Sequence, residues 1–238
     1  MTGLDAHTEQ IIMLAWSRIL GLADGELESA SGQDRIEAAN DDAAAVSLVQ
    51  LFGRTVLYGP STVLRDARGY QDEELALESQ LLALARAHYP GARMLGEAHL
   101  LYCENPPEVQ GSDSVAVSFD PKHAQELASR SPADEVARSG LQEAEWTAAL
   151  VREATGEVMA AASREVWQEV LGHIGILTHP ERRGLGLGRF AAAVAVEEAF
   201  TEGLIPQWRA AAEEPASLRM AISLGFTPAG QQTTVALS

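Results

Sequence analysis

The run Ile174-Gly-Ile-Leu-Thr-His-Pro-Glu-Arg-Arg-Gly-Leu-Gly-Leu-Gly-Arg-Phe190 has the make-up of an anion site. An apolar, β-favouring stretch leads into a short polar loop. An arginine pair follows, then three glycines at alternate positions, then an alanine-rich helical stretch. Gly184, Gly186 and Gly188 let backbone N–H groups turn toward a ligand, and the start of the following helix is electropositive. Arg182, Arg183 and Arg189 add full positive charges at the same place. These residues read as a cradle for a pyrophosphate.

Three pyrophosphate carriers come into question. A nucleoside triphosphate loop needs lysine and then serine or threonine after its last glycine. Here Gly188 is followed by Arg189-Phe190, so that reading fails. A dinucleotide fingerprint, G-x-G-x-x-A, fits Gly186-Leu-Gly188-Arg-Phe-Ala191, with Glu202 as the distant acid. Its context is wrong, because that motif opens a long β-α-β series and only about fifty residues remain. The third carrier is coenzyme A. A tight turn that merely packs a helix on a sheet would explain the glycines but not the arginines.

Composition sets the outer bounds. The 238 residues are 46% hydrophobic and 21% charged, which describes a globular chain with a sizeable core. No apolar run approaches the ~20 residues needed to cross a bilayer, and the first residues lack a secretory pattern. One cysteine, Cys103, excludes an internal disulfide and a cysteine-based metal site. A soluble cytoplasmic protein that uses no metal is expected. The net charge of −17 argues against nucleic acid or an anionic membrane as partner and permits a cationic substrate. From Leu171 onward there are five arginines against six glutamates, a net −1, so the charge lies almost wholly in the first 170 residues. An acidic chain that gathers arginine at one turn is suited to hold an anion there.

Other elements must position that turn. Glu104-Asn-Pro-Pro-Glu-Val-Gln-Gly-Ser-Asp113 breaks the chain, and a boundary is expected between residues 1–108 and 109–238. In the first part, helical spacing covers Thr8 to Leu22 and Glu73 to His88. Strand patterns cover Val46 to Phe52, Thr55 to Tyr58 and His99 to Cys103. In the second part, strands are expected at Ser114–Ser118, Trp146–Arg152, Glu157–Arg164, Gly172–Thr178, Gln207–Ala212 and Thr233–Leu237. Helices are expected after Asp120-Pro121, after Ser131-Pro132, over Gly186–Glu202 and over Pro215–Leu224. This order predicts an α/β protein with a mixed sheet and helices on its faces.

The run Arg183-Gly-Leu-Gly186-Leu-Gly188 resembles R/Q-x-x-G-x-G/A, the acetyl-coenzyme-A loop of the GNAT superfamily of N-acetyltransferases. Glu214-Pro-Ala-Ser-Leu-Arg-Met-Ala-Ile-Ser-Leu-Gly-Phe226 resembles its second motif, with Gly225-Phe226 at the right spacing. Gly175-Ile-Leu-Thr-His-Pro180, Pro206-Gln-Trp208 and Ser217 are similar to a bacterial subgroup with an extra N-terminal region. The likeness covers about Ser114 to Ser238. It implies a GNAT-like acyltransferase fold with an extra N-terminal α/β region. An alternative for residues 1–108 is a degenerate copy of the same half-fold.

The resemblance implies a chemistry and a set of residues. The backbone of Ile176, Leu177 and Thr178 would pair with the pantetheine arm. The N–H groups of Arg183, Gly184, Leu185, Gly186, Leu187, Gly188 and Arg189 would hold the pyrophosphate, and Ser217 would lie near the coenzyme. The strands at Gly172–Thr178 and Gln207–Ala212 would splay to admit the thioester. An amine, that of a small molecule, would attack the acetyl group of acetyl-CoA. Two family positions are altered: the usual tyrosine acid falls on Ala221 and the usual asparagine on Glu214. Candidates for the base are Glu157 and His173, with Glu165 and His179 behind them. Trp146, Trp167 and Trp208 read as core or acceptor-site walls. The expected partners are acetyl-CoA and a small amine, with the N-terminal half shaping the acceptor side or a homodimer. The alternative is a coenzyme-A-binding sensor with weak or no turnover, which the alanine at the acid position favours.

Overall fold

The computed structural model describes residues 3–31, 34–108 and 114–237. Helices α1 (Ala6–Ile19) and α2 (Glu26–Ser29) come first, then strands β1 (Ile36–Ala39), β2 (Ala45–Leu51) and β3 (Arg54–Gly59). Helices α3 (Ser61–Ala67), α4 (Asp72–Leu75) and α5 (Glu78–His88) lead to β4 (Arg93–Tyr102). Next come β5 (Val115–Ser118), α6 (Pro121–Ser129), α7 (Ala133–Ser139), β6 (Trp146–Arg152), β7 (Val158–Trp167) and β8 (Leu171–Thr178). The chain closes with α8 (Leu187–Thr201), β9 (Ile205–Ala211), α9 (Pro215–Ser223) and β10 (Thr227–Ala236). No helix among the described residues is long and apolar enough to cross a membrane.

The chain divides into two compact units. One comprises Met1–Tyr102, Arg209–Arg219 and Thr227–Ser238; the other comprises Cys103–Trp208 and Met220–Phe226. The boundary expected at 108/109 adjoins residues 109–113, which lie outside the described residues.

In the first unit the strands lie in the order β1-β3-β2-β10-β4. β1 runs parallel to β3, and the other neighbours are antiparallel. Val46, Leu48, Leu57, Leu64, Leu75, Leu81, Ala85 and Val235 form its core with the helices α3 and α5. The single helix expected over Glu73–His88 is broken. A capping box between Gln71 and Glu74 starts α4, and Leu77 turns extended (φ −71°, ψ 122°) before α5 begins. Leu77 points to solvent while Leu75 and Leu81 are fully buried, so the break is what lets both reach the core. Thr233 Oγ1 donates to the Ala76 carbonyl at 3.2 Å, catching a group that the broken helix leaves over. Helix α3 was not expected from the sequence. Its first amide, Ser61 N–H, donates at 2.8 Å to Asp41 Oδ1, a cap supplied from twenty residues away.

In the second unit the order is β9-β8-β7-β6-β5. β5 through β8 form an antiparallel meander, and β8 pairs parallel with β9 across the α8 crossover. Alternation along β8 sends side chains to two layers. On one face a Cβ at Gly172 would meet Ala199 Cβ of α8 at 3.3 Å. On the other, Leu177 joins Ala124 and Leu127 of α6 and Val136 of α7 in a buried cluster. Helix α8 buries five alanines, Ala191, Ala192, Ala193, Ala195 and Ala199, so it can lie close to the sheet. Gly175 marks another close approach: a Cβ there would sit 2.0 Å from the Ser139 carbonyl oxygen and 2.6 Å from Ser163 Oγ. Ser163 Oγ in turn donates to that carbonyl at 2.6 Å, fastening the end of α7 to β7. The mixed α/β architecture is the one the sequence predicts.

Candidate functional site

The glycine loop sits where β8 hands over to α8. His179 sets the turn: its Nδ1 accepts the Glu181 N–H at 3.3 Å and its carbonyl accepts the Arg182 N–H at 2.8 Å. A 3-10 turn at Pro180–Arg182 follows. Gly184 and Gly186 then take left-handed backbone angles, φ 75° and 77°. A Cβ at either would meet nothing within 4 Å, so glycine is there for its conformation, and the space over the loop is open. Leu185 at the tip is 65% exposed. Gly186 is the N-cap of α8 and no side chain caps it. The N–H groups of Leu187, Gly188 and Arg189 therefore begin a fifteen-residue helix that has no side-chain cap among the described residues. Gly188 has a different reason: its missing Cβ would lie 2.8 Å from Thr178 Oγ1 and 3.3 Å from Met220 Cε. Bent, uncapped amides at a helix start, with open space above them, suit a multiply charged anion.

The three arginines flank this loop but each is engaged. Arg182 Nε donates to Glu157 Oε1 at 2.7 Å, and Arg152 Nε lies 3.4 Å from the same carboxylate. Arg183 Nη2 pairs with Glu135 of α7. Arg189 Nη2 donates to the Ser223 carbonyl at 3.2 Å. The Arg182 hydrogen bond, helped by the charges of Arg182, Arg152 and His179, holds the Glu157 carboxyl below the usual glutamate range. A carboxylate so paired is a weak base. Sequence reasoning missed Glu135 and Arg152 as neighbours of the loop. Glu135 lies 48 residues before Arg183 on another helix, and nothing local to either residue signals the pairing.

Strand β8 carries the other candidates. Ile176, Leu177 and Thr178 pair with Ala162, Ala161 and Ala160 of β7. The parallel register with β9 runs Leu171↔Ile205, Gly172↔Pro206, His173↔Gln207 and goes no further among the described residues, although β8 continues to Thr178. His173 thus marks the last paired position. Its ring packs on Trp167, centroids 4.8 Å apart, and its strand partner on β7 is Glu165. Trp146 instead faces the opposite layer, with the buried Arg164 guanidinium 4.9 Å from its ring centroid.

The second motif shapes the chain after α9. The Ala221 carbonyl accepts the Phe226 N–H at 3.1 Å, and Phe226 meets Trp208 edge-on at 5.5 Å. Ala221 is fully buried and has no proton to give. Ser217 donates its backbone N–H to the Glu214 carbonyl at 3.0 Å and belongs to the first unit. The loop residues 183–189 and the strand residues 176–178 are brought together in the second unit. Glu157 joins them through Arg182, and His173 stands further back along β8.

Residues 149–234 match the profile of the GNAT acetyltransferase family. No curated protein matches the sequence. Among solved structures, a GCN5-related N-acetyltransferase-like protein from Streptococcus suis is similar over 97% of this chain and 99% of its own. Its TM-score is 0.53 at 16% identity. A Drosophila protein is similar over 67% of this chain and 57% of its own, with TM-score 0.52 and 14% identity. A GCN5-related N-acetyltransferase from Kribbella flavida aligns over 66% of this chain and 63% of its own, at TM-score 0.47 and 16% identity. For these last two the matched stretch spans less than two thirds of the neighbour's length. The Streptococcus suis likeness carries the fold along nearly the whole chain. The family match is confined to residues 149–234, the stretch that holds β8, the glycine loop and α8, and this part of the chain is similar to the GNAT acetyltransferase family.

Proposed function

We propose that this chain is an N-acetyltransferase that moves an acetyl group from acetyl-CoA to the amine of a small molecule. The observation that carries the reading is the start of α8, bent by Gly184 and Gly186, without a side-chain cap, and following β8 through the glycine loop. The family match over residues 149–234 supports the same coenzyme. The amides of Arg183, Gly184, Leu185, Gly186, Leu187, Gly188 and Arg189 hold the pyrophosphate. The backbone of Ile176, Leu177 and Thr178, on the side of β8 away from β7, takes the amide-bearing pantetheine arm as an added strand. The acetyl-transfer work is assigned to residues 109–238, in which the loop lies.

Acetyl-CoA supplies an activated thioester, so an amine nitrogen can bond to the acyl carbon as the thiolate leaves. A base must take the proton that the amine nitrogen loses. Of the two candidates, His173 suits the role better. It stands at the last β8–β9 paired position, and Trp167 fixes its ring. Glu157 is neutralised by Arg182 and Arg152. Glu165, across the strand from His173, can attract a cationic amine.

A second reading is a coenzyme-A-binding sensor, favoured by the buried, proton-less Ala221. The test is a thiol-release assay with acetyl-CoA and a panel of small amines. Turnover with any of them supports the enzyme. Tight coenzyme binding without turnover supports the sensor.

A further inference from the structure

The arginines beside the loop are already bound to the chain's own oxygens. Glu157 holds Arg182 at 2.7 Å and reaches Arg152 at 3.4 Å, and Glu135 holds Arg183. Glu135 comes from α7 and Glu157 from the residue just before β7, neither of them part of the loop. A carboxylate on a guanidinium makes the same charge-assisted bond as a phosphate oxygen does. Two carboxylates at this spot also place two negative charges beside any incoming anion.

We infer that Glu135 and Glu157 are internal competitors of the coenzyme's phosphates, which hold Arg183 and Arg182 when no anion is bound and thereby set the affinity for a phosphate-bearing coenzyme. The inference rests on the acetyl-CoA reading above. A phosphate arriving at the loop either displaces a carboxylate from its arginine or binds against that carboxylate's repulsion. In both cases removing the carboxylate's charge helps the ligand. Arg183 is about half exposed and Arg182 about one third, so each effect is modest and screened by salt.

The experiment is calorimetric titration of acetyl-CoA into the full chain, its Glu135→Gln and Glu157→Gln variants and the double variant. It is run at low salt and repeated near ~0.5 M salt, where exposed charges are largely screened. Each single variant is expected to bind about two- to five-fold more tightly at low salt, with the double variant tighter again and the gain lost at high salt. Unchanged or weaker binding by the variants, or a gain that persists at high salt, overturns the inference. A parent chain that binds no acetyl-CoA sinks the coenzyme reading and the inference with it. A parent that binds while its variants gain nothing sinks the inference alone.

Discussion

Gly188 lies against Thr178 with no room for a side chain: a Cβ on the glycine would meet the threonine Oγ1 at 2.8 Å. The first turn of α8 is thereby seated on the last residue of β8, which fixes where the helix points its free amides. Gly188→Ala is expected to destabilise the chain by about 1–3 kcal/mol through overpacking. Thr178→Ala should restore most of that loss in the double variant, because the hydroxyl and the new methyl contend for one space. Denaturant unfolding of the four proteins of this cycle checks it. Additive losses would mean that the contact does not set the seat of the helix.

Glu157 gives a pH signature. Its folded carboxyl titrates below the ordinary glutamate value of 4.5 because Arg182 hydrogen-bonds the charged form. The stability this pair adds is therefore complete above the unfolded value and is lost as pH falls through the lowered folded value. Glu157→Gln should flatten the acid limb of a stability-against-pH curve and leave its slope near neutrality unchanged. An identical acid limb in parent and variant would contradict the pairing.

In the proposed reaction His173 takes the amine's proton. His173→Gln should lower kcat by about 100-fold or more while the KM for acetyl-CoA stays nearly constant. Glu157→Gln should leave kcat close to that of the parent. Steady-state kinetics on both variants separates the two candidates, and the reverse pattern would move the base to Glu157.

By the sequence resemblance, Ala221 falls where the second GNAT motif usually has tyrosine. It is fully buried, and its carbonyl anchors Phe226. Ala221→Tyr should therefore cost stability, about 1–3 kcal/mol, rather than supply a better acid. A stable variant with raised turnover would show that the site has room for the family's acid.

The sequence carried the loop and its elements well, and for local reasons. Trp146–Arg152 forms as expected to the residue, and the β8–loop–α8 order follows from apolar alternation, glycine and alanine. What it hid depends on distant partners. Helix α3 is capped by Asp41, twenty residues earlier. The break at Leu77 follows from how Leu75 and Leu81 must face one core, while helical periodicity runs straight through. The arginines were legible as a positive cluster, but their pairing with Glu135 and Glu157 was not, since it joins α7 and the residue just before β7 to the loop through space.

The most direct measurement is calorimetric titration of the parent chain with acetyl-CoA, with NADPH as control, followed by the thiol-release assay with amines. The account predicts saturable acetyl-CoA binding at one site, none with NADPH, and amine-dependent thiol release that His173→Gln suppresses. Absence of acetyl-CoA binding, or binding of NADPH in its place, would contradict it.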